Sequence, residues 1–172
     1  GVAWYVARAL LEELKARGHD TGFEPAELLS YVALGTVADV VKLDRNNRLL
    51  VSLGLRYIRS GQCSPGVLQL CCISSKNYRT LTCSDIGFGL GPRINAAGRL
   101  AHMRTGIECL TTLDLDLAGT LARELHETNE ERKEIQREMV EAAFAQATML
   151  CQEQASGQTA DALGPRSICV FR

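Results

Sequence analysis

The chain has 172 residues, of which 46% are hydrophobic and 23% charged, with a formal net charge of −1. That length holds one or two cores, and that hydrophobic share excludes wholesale disorder. No apolar run approaches the length that spans a bilayer, which excludes a transmembrane helix, and no membrane partner is expected.

Helix signals dominate from the start. Val6, Leu10 and Leu14 repeat at helical spacing, and Gly18 is placed to end that helix. Pro25 suits a first helical position and opens an apolar run through Leu28, Leu29 and Val32. The run continues to Val41. It could form a buried strand, but its length and its Pro-Ala-Glu start favour a buried helix. Asn46 is expected to cap the next helix, in which Leu50, Leu53 and Tyr57 share one side and Gly61 marks the stop. Ser64-Pro65 starts a short helix, Thr82-x-x-Asp85 resembles a capping box, and Thr105-x-x-Glu108 repeats that signal.

Asp116 is expected to cap one long helix running to about residue 154. Its stripe (Leu117, Leu121, Leu125, Thr128, Arg132, Ile135, Met139, Ala142) is thin, and Glu130 with Lys133 and Glu134 with Arg137 supply same-face ion pairs. Such a helix is a coiled-coil arm or a strut between domains. Residues 155–166 read as a linker, and 167–171 as a β-strand that opens a further domain. The uncapped apolar start and the lone strand-like end lead us to expect an internal piece of a longer protein.

Charge and cysteine are unevenly informative. Residues 42–104 hold ten Lys/Arg against two acids, whereas the flanking stretches are acidic. A polyanion-binding face needs such a basic middle, although solvated helix faces are the commoner cause. The seven cysteines (63, 71, 72, 83, 109, 151, 169) form no C-x-x-C pair, which weakens any zinc site. Their odd number and the lack of a signal peptide point to reduced thiols in a cytoplasmic protein, and a small apolar role suffices for Cys71 and Cys72.

Two stretches could carry chemistry. Residues 86–100 read Ile-Gly-Phe-Gly-Leu-Gly-Pro-Arg-Ile-Asn-Ala-Ala-Gly-Arg-Leu. Glycine permits close backbone approach, and an arginine fork matches phosphate oxygens. A glycine-rich helix junction with incidental arginines explains the same letters equally well. Asp39 stands alone among apolar neighbours, where a carboxylate must be neutralised, hydrogen-bonded or metal-bound. A helix-end aspartate that caps the following turn is the stronger reading on residue chemistry alone. The three histidines are uninformative: His19 at a helix end, His102 in a loop, His126 among solvated charges. No G-x-x-x-x-G-K-[ST] loop is present.

Taken in order, Ala33-Leu34-Gly35-Thr36-Val37-Ala38-Asp39-Val40-Val41, Asn47-Arg48, and Gly91-Pro92-Arg93-Ile94-Asn95-Ala96-Ala97-Gly98-Arg99-Leu100 resemble the RecJ branch of the DHH phosphoesterases, and Asn129-x-x-Arg132 fits that family's register. The resemblance runs from about residue 1 to 150. It implies an α/β parent fold, of which this piece is mostly helical. Residues 1–115 would be the later part of the DHH catalytic domain, 116–154 the inter-domain helix, and 155–172 a linker and the first strand of the DHHA1 domain. It implies a 5′-to-3′ exonuclease of single-stranded DNA that acts in DNA repair and recombination with Mn²⁺ or Mg²⁺. Single-stranded DNA is the implied partner, and a single-strand-binding protein or helicase the implied protein partner. Asp39 matches a catalytic metal ligand and Arg93 a DNA-phosphate contact, with Asn95 and Arg99 in support. The remaining metal ligands lie outside this chain, since the Asp-His-His triplet is absent. Lys42 stands where many relatives carry proline, a surface change. The rival readings are a phosphodiesterase of short oligonucleotides or cyclic dinucleotides, and a catalytically silent DNA-binding or scaffold relative.

Overall fold

Proline, glycine and a few short polar side chains set the helix boundaries along this chain. The computed structural model describes residues 1–19, 21–100 and 103–156, and the side chains of all of these except 99–100 and 150–156. Every regular element among them is helical: α1 Val2–Ala16, α2 Leu29–Ala38, α3 Arg45–Arg59, α4 Pro65–Ile73, α5 Cys83–Asp85, α6 Gly91–Leu100, α7 Met103–Thr111 and α8 Leu115–Ser156. A 3₁₀ turn at Pro25–Leu28 leads into α2, and a π-helical stretch at Ile86–Leu90 joins α5 to α6. The mostly helical expectation holds. The expected strand at 167–171 lies outside the described residues, and α8 continues two residues into the expected linker.

The chain divides into two units, residues 1–129 and 130–172. In the first, Leu34, Val51, Ile58, Leu70, Ile86, Leu90 and Leu125 form one buried cluster, with Leu29, Val32 and Leu50 as a satellite under Trp4. The buried line on α8 is Ala118, Leu121, Ala122, Leu125 and Asn129, so one stripe seals this unit. In the second, α8 is exposed along most of its length, and the expected Glu130–Lys133 and Glu134–Arg137 pairs form.

Two glycines that the periodicity does not single out decide how closely helices pack. A Cβ on Gly54 of α3 would overlap the Leu29 carbonyl of α2, and one on Gly66 of α4 would overlap the Cys109 carbonyl of α7. Only glycine fits where helix backbones meet this closely.

The capping expectations need three corrections. Asp44, not Asn46, caps α3, accepting from the Asn47 amide at 2.8 Å, while Asn46 accepts from the Tyr5 hydroxyl. Asp114, not Asp116, caps α8, accepting from the amides of Asp116 and Leu117. Thr105 lies inside α7 and donates across to Glu124 of α8, so the second capping box does not form. In the first two cases two oxygen-bearing residues lie two positions apart, and local spacing cannot choose between them. The Thr82–Asp85 box forms as expected.

Four helices end in one geometry. After α1, α2, α3 and α4, paired 5→2 and 6→1 backbone bonds close on a residue with positive φ: Gly18, Val40, Gly61 and Ser75 respectively. Glycine takes that conformation freely, whereas a β-branched valine is strained in it.

Burial pushes the thiols of Cys63 and Cys109 up to about 11 and that of Cys71 to about 12. Cys71 is buried as an apolar residue, but its neighbour Cys72 is exposed, which corrects the shared role expected for the pair.

Candidate functional site

Asp39 follows the last residue of α2, immediately before the strained Val40. Its side chain is exposed and takes no hydrogen bond or ion pair among the described residues. It therefore neither sits in an apolar enclosure nor caps the next turn, a task that Asp44 performs. A bare carboxylate beside the carbonyl end of a helix is unfavourable on its own, because both present negative charge. The same position attracts a cation.

The glycine-rich stretch comes to this helix end. A Cβ on Gly91 would lie 3.1 Å from Ala38 Cβ, and one on Gly87 would lie 3.7 Å from Val37 Cγ1. The start of α6 thus packs against the residue before Asp39, and Gly91 is what permits the approach. The intervening turn is π-helical, a local widening that is frequent at functional sites. Phe88, within it, is 87% exposed.

Arg93 stands half-buried on α6. Its Nη1 donates to the Gly89 carbonyl at 2.7 Å, inside the π-helical turn, and its Nε donates to His126 Nδ1 of α8 at 3.2 Å. A guanidinium only donates, so His126 Nδ1 is the acceptor in this contact. The solvated role expected for His126 is therefore corrected. Nothing local could have revealed it, since 33 residues separate the two side chains. Two of the five guanidinium N–H groups are used, and the other three take no partner among the described residues.

The three expected phosphate contacts do not converge on one point. Asn95 lies two residues beyond Arg93, which on a helix is nearly the opposite side, and it is half-buried with no hydrogen bond among the described residues. Arg99 belongs to the same helix one turn after Asn95, and His102 lies outside the described residues. Asn129 is fully buried in the first unit.

Among the described residues no group of three or more His, Cys, Asp or Glu could hold a metal ion. Asp39 is solvent-accessible and has no cationic partner among the described residues, so by itself it could supply at most one ligand to a metal ion. No helix among the described residues is long and apolar enough to cross a membrane.

No family model matches the chain. It is 47% identical to the single-stranded-DNA-specific exonuclease RecJ of Dickeya dadantii over 158 residues, covering 89% of this chain and 27% of that protein. It is 45% identical to RecJ of Escherichia coli over 147 residues, covering 81% of this chain and 25% of that one. Among solved structures, exonuclease RecJ bound to manganese matches with a TM-score of 0.73 at 32% identity, covering 85% of this chain and 35% of that one. RecJ of Thermus thermophilus in complex with Mg²⁺ matches with a TM-score of 0.66 at 31% identity, covering 73% of this chain and 20% of that one. The chain is thus similar to RecJ in sequence and fold over most of its length, and it spans about a quarter of the curated relatives it matches.

Proposed function

We propose that this RecJ-like chain is the part of a metal-dependent, single-stranded-DNA-specific exonuclease that supplies one metal ligand and a phosphate-binding arginine. The observation that carries this reading is the packing of Gly91 against Ala38. It brings the free carboxylate end of α2 beside the start of the helix that presents Arg93. Asp39 is the metal ligand and the catalytic residue in this reading, and Arg93 takes a backbone phosphate through its three remaining N–H groups. Asn95 and Arg99 follow Arg93 on other sides of α6, so they would meet the strand at points separate from the Arg93 phosphate. Two divalent ions, Mn²⁺ or Mg²⁺, would supply an activated water and screen the phosphate charge when bound. Asp39 would hold one of them together with ligands from outside this chain.

The parent is an α/β enzyme of the DHH class. Residues 1–115 complete its catalytic domain, 116–154 join that domain to the next, and 155–172 open the DHHA1 domain. It acts in the cytoplasm, from the 5′ end of single strands, in repair and recombination, alongside a single-strand-binding protein or helicase. The Gly-Pro-Arg-Ile-Asn stretch and the long connecting helix favour this over a phosphodiesterase of very short substrates.

Arg93 provides the test. In the full-length protein Arg93→Ala should weaken single-strand binding at every sequence and lower the slope of log K against log salt by roughly 0.7, the contribution of one neutralised phosphate. Arg93→Lys keeps the charge without the fork and should recover part of the affinity. If Arg93 only braces the junction through Gly89 and His126, melting temperature falls and the slope stays unchanged.

A further inference from the structure

Helix α3 has the sequence Arg-Asn-Asn-Arg-Leu-Leu-Val-Ser-Leu-Gly-Leu-Arg-Tyr-Ile-Arg and contains no acid. At 100° per residue, Arg45, Arg48, Arg56 and Arg59 fall within an arc of about 80°, with Ser52 between them. All four are exposed. Gly54, whose missing side chain admits Leu29, marks the opposite side of the helix as the one that meets α2. The arginine face is therefore turned away from α2. Arg45, Arg48 and Arg56 make no ion pair among the described residues, and Arg59 donates to the Leu81 carbonyl at 2.9 Å. Beside this row lies a groove of about 320 Å³ lined by Arg48, Ser52, Arg56, Arg59, Leu43 and Cys83.

Folding alone does not account for the row. Cations in the last turn suit the helix dipole, which explains Arg56 and Arg59 but opposes Arg45 and Arg48 in the first turn. Like charges three residues apart repel on a helix surface, and no acid is interspersed to relieve them. Such a row of planar donors matches a chain of phosphates.

We propose that the arginine face of α3 is a track for the phosphate backbone of single-stranded nucleic acid. It runs from the Asp39 end of the first unit for about 21 Å, the rise of fourteen residues. The direction follows from the connection: only residues 40–44 separate Asp39, after the end of α2, from Arg45 at the start of α3, so the Arg45 end of the row is the one tied to Asp39. The track rests on the nuclease reading above and deepens it, since it holds strand beyond the nucleotide at the catalytic end.

The test compares strand lengths in the full-length protein, with metal chelated to prevent cleavage. The variant Arg48→Ala/Arg56→Ala should bind a twenty-nucleotide oligothymidylate about tenfold more weakly than wild type, with a salt slope lower by roughly 1.4, two phosphates' worth. Its binding of a dinucleotide, whose one internucleotide phosphate is taken up at the catalytic end, should change less than twofold. Arg48→Lys/Arg56→Lys should keep the wild-type slope, and it covers the case in which the alanine variant does not fold. Equal slopes for wild type and the alanine variant on the long strand overturn the track, as does equal weakening on both lengths. If Arg93→Ala weakens the short strand while the α3 variant leaves both unchanged, the track alone fails. If the wild-type protein binds neither strand, the nuclease reading fails and takes the track with it.

Discussion

Asp39 shows most clearly what one residue's surroundings imply. Its carboxylate is exposed, carries no partner among the described residues, and sits at the negative end of α2. Replacing a stabilising cap costs about 1 kcal/mol, whereas Asp39→Asn in the full-length protein should not lower the melting temperature at all. A fall comparable to that of a lost cap would mean that Asp39 serves the fold. The sequence showed that Asp39 was isolated among apolar residues, yet its exposure depended on where α2 stops, which short-range pattern does not settle. The thiols give a second prediction. Cys63, Cys71 and Cys109 are held as neutral thiols by burial, with values pushed to about 11 or 12, so at pH 7.5 a maleimide should label exposed Cys72 well before these three. Labelling of Cys71 at the rate of Cys72, followed by mass spectrometry, would show that α4 is not packed as described.

The helices were legible in the sequence, but their closest contacts were not. Apolar spacing placed α1, α3 and α8, Pro25 and Ser64-Pro65 marked the starts that lead into α2 and α4, and Gly18 and Gly61 announced two of the helix ends. Gly54 gave no signal because its meaning lies in the Leu29 carbonyl of a different helix. Gly54→Ala should cost about 1–3 kcal/mol by overpacking the α2–α3 contact, read from urea denaturation, whereas Gly35→Ala, with open space around it, should not. The end of α2 offers the converse test. Val40 has φ of 53° and is 88% exposed, so relieving its strain with Val40→Asn should stabilise by up to about 1 kcal/mol. The capping box has a pH signature. Hydrogen bonds from Thr82 first, then Lys76, hold the Asp85 carboxyl at about 2 rather than 3.8. A depressed carboxyl contributes its stability above the unfolded value and loses it as pH falls through the folded one. Asp85→Asn should therefore narrow its stability difference from wild type between about pH 4 and pH 2, and leave it constant above pH 5.

At the scale of the whole molecule, the similarity to RecJ spans most of this chain but about a quarter of the relatives' length. Among the described residues no group of three or more His, Cys, Asp or Glu could hold a metal ion by itself. The 172-residue chain alone should accordingly release no nucleotides from labelled single-stranded DNA in Mn²⁺. The likeness to RecJ could be read from motif order, whereas the pairing of Arg93 with His126 needed the fold, because helices distant in sequence supply the two side chains. The central claim is that Asp39 belongs to the metal site of the complete enzyme. It is tested most directly by assaying Asp39→Ala in the full-length protein for Mn²⁺-dependent cleavage and, in parallel, for single-strand binding. We expect cleavage to be abolished while binding stays within about threefold of wild type, because the arginines proposed to hold phosphate remain in place. Near-normal turnover by the folded variant would contradict the account.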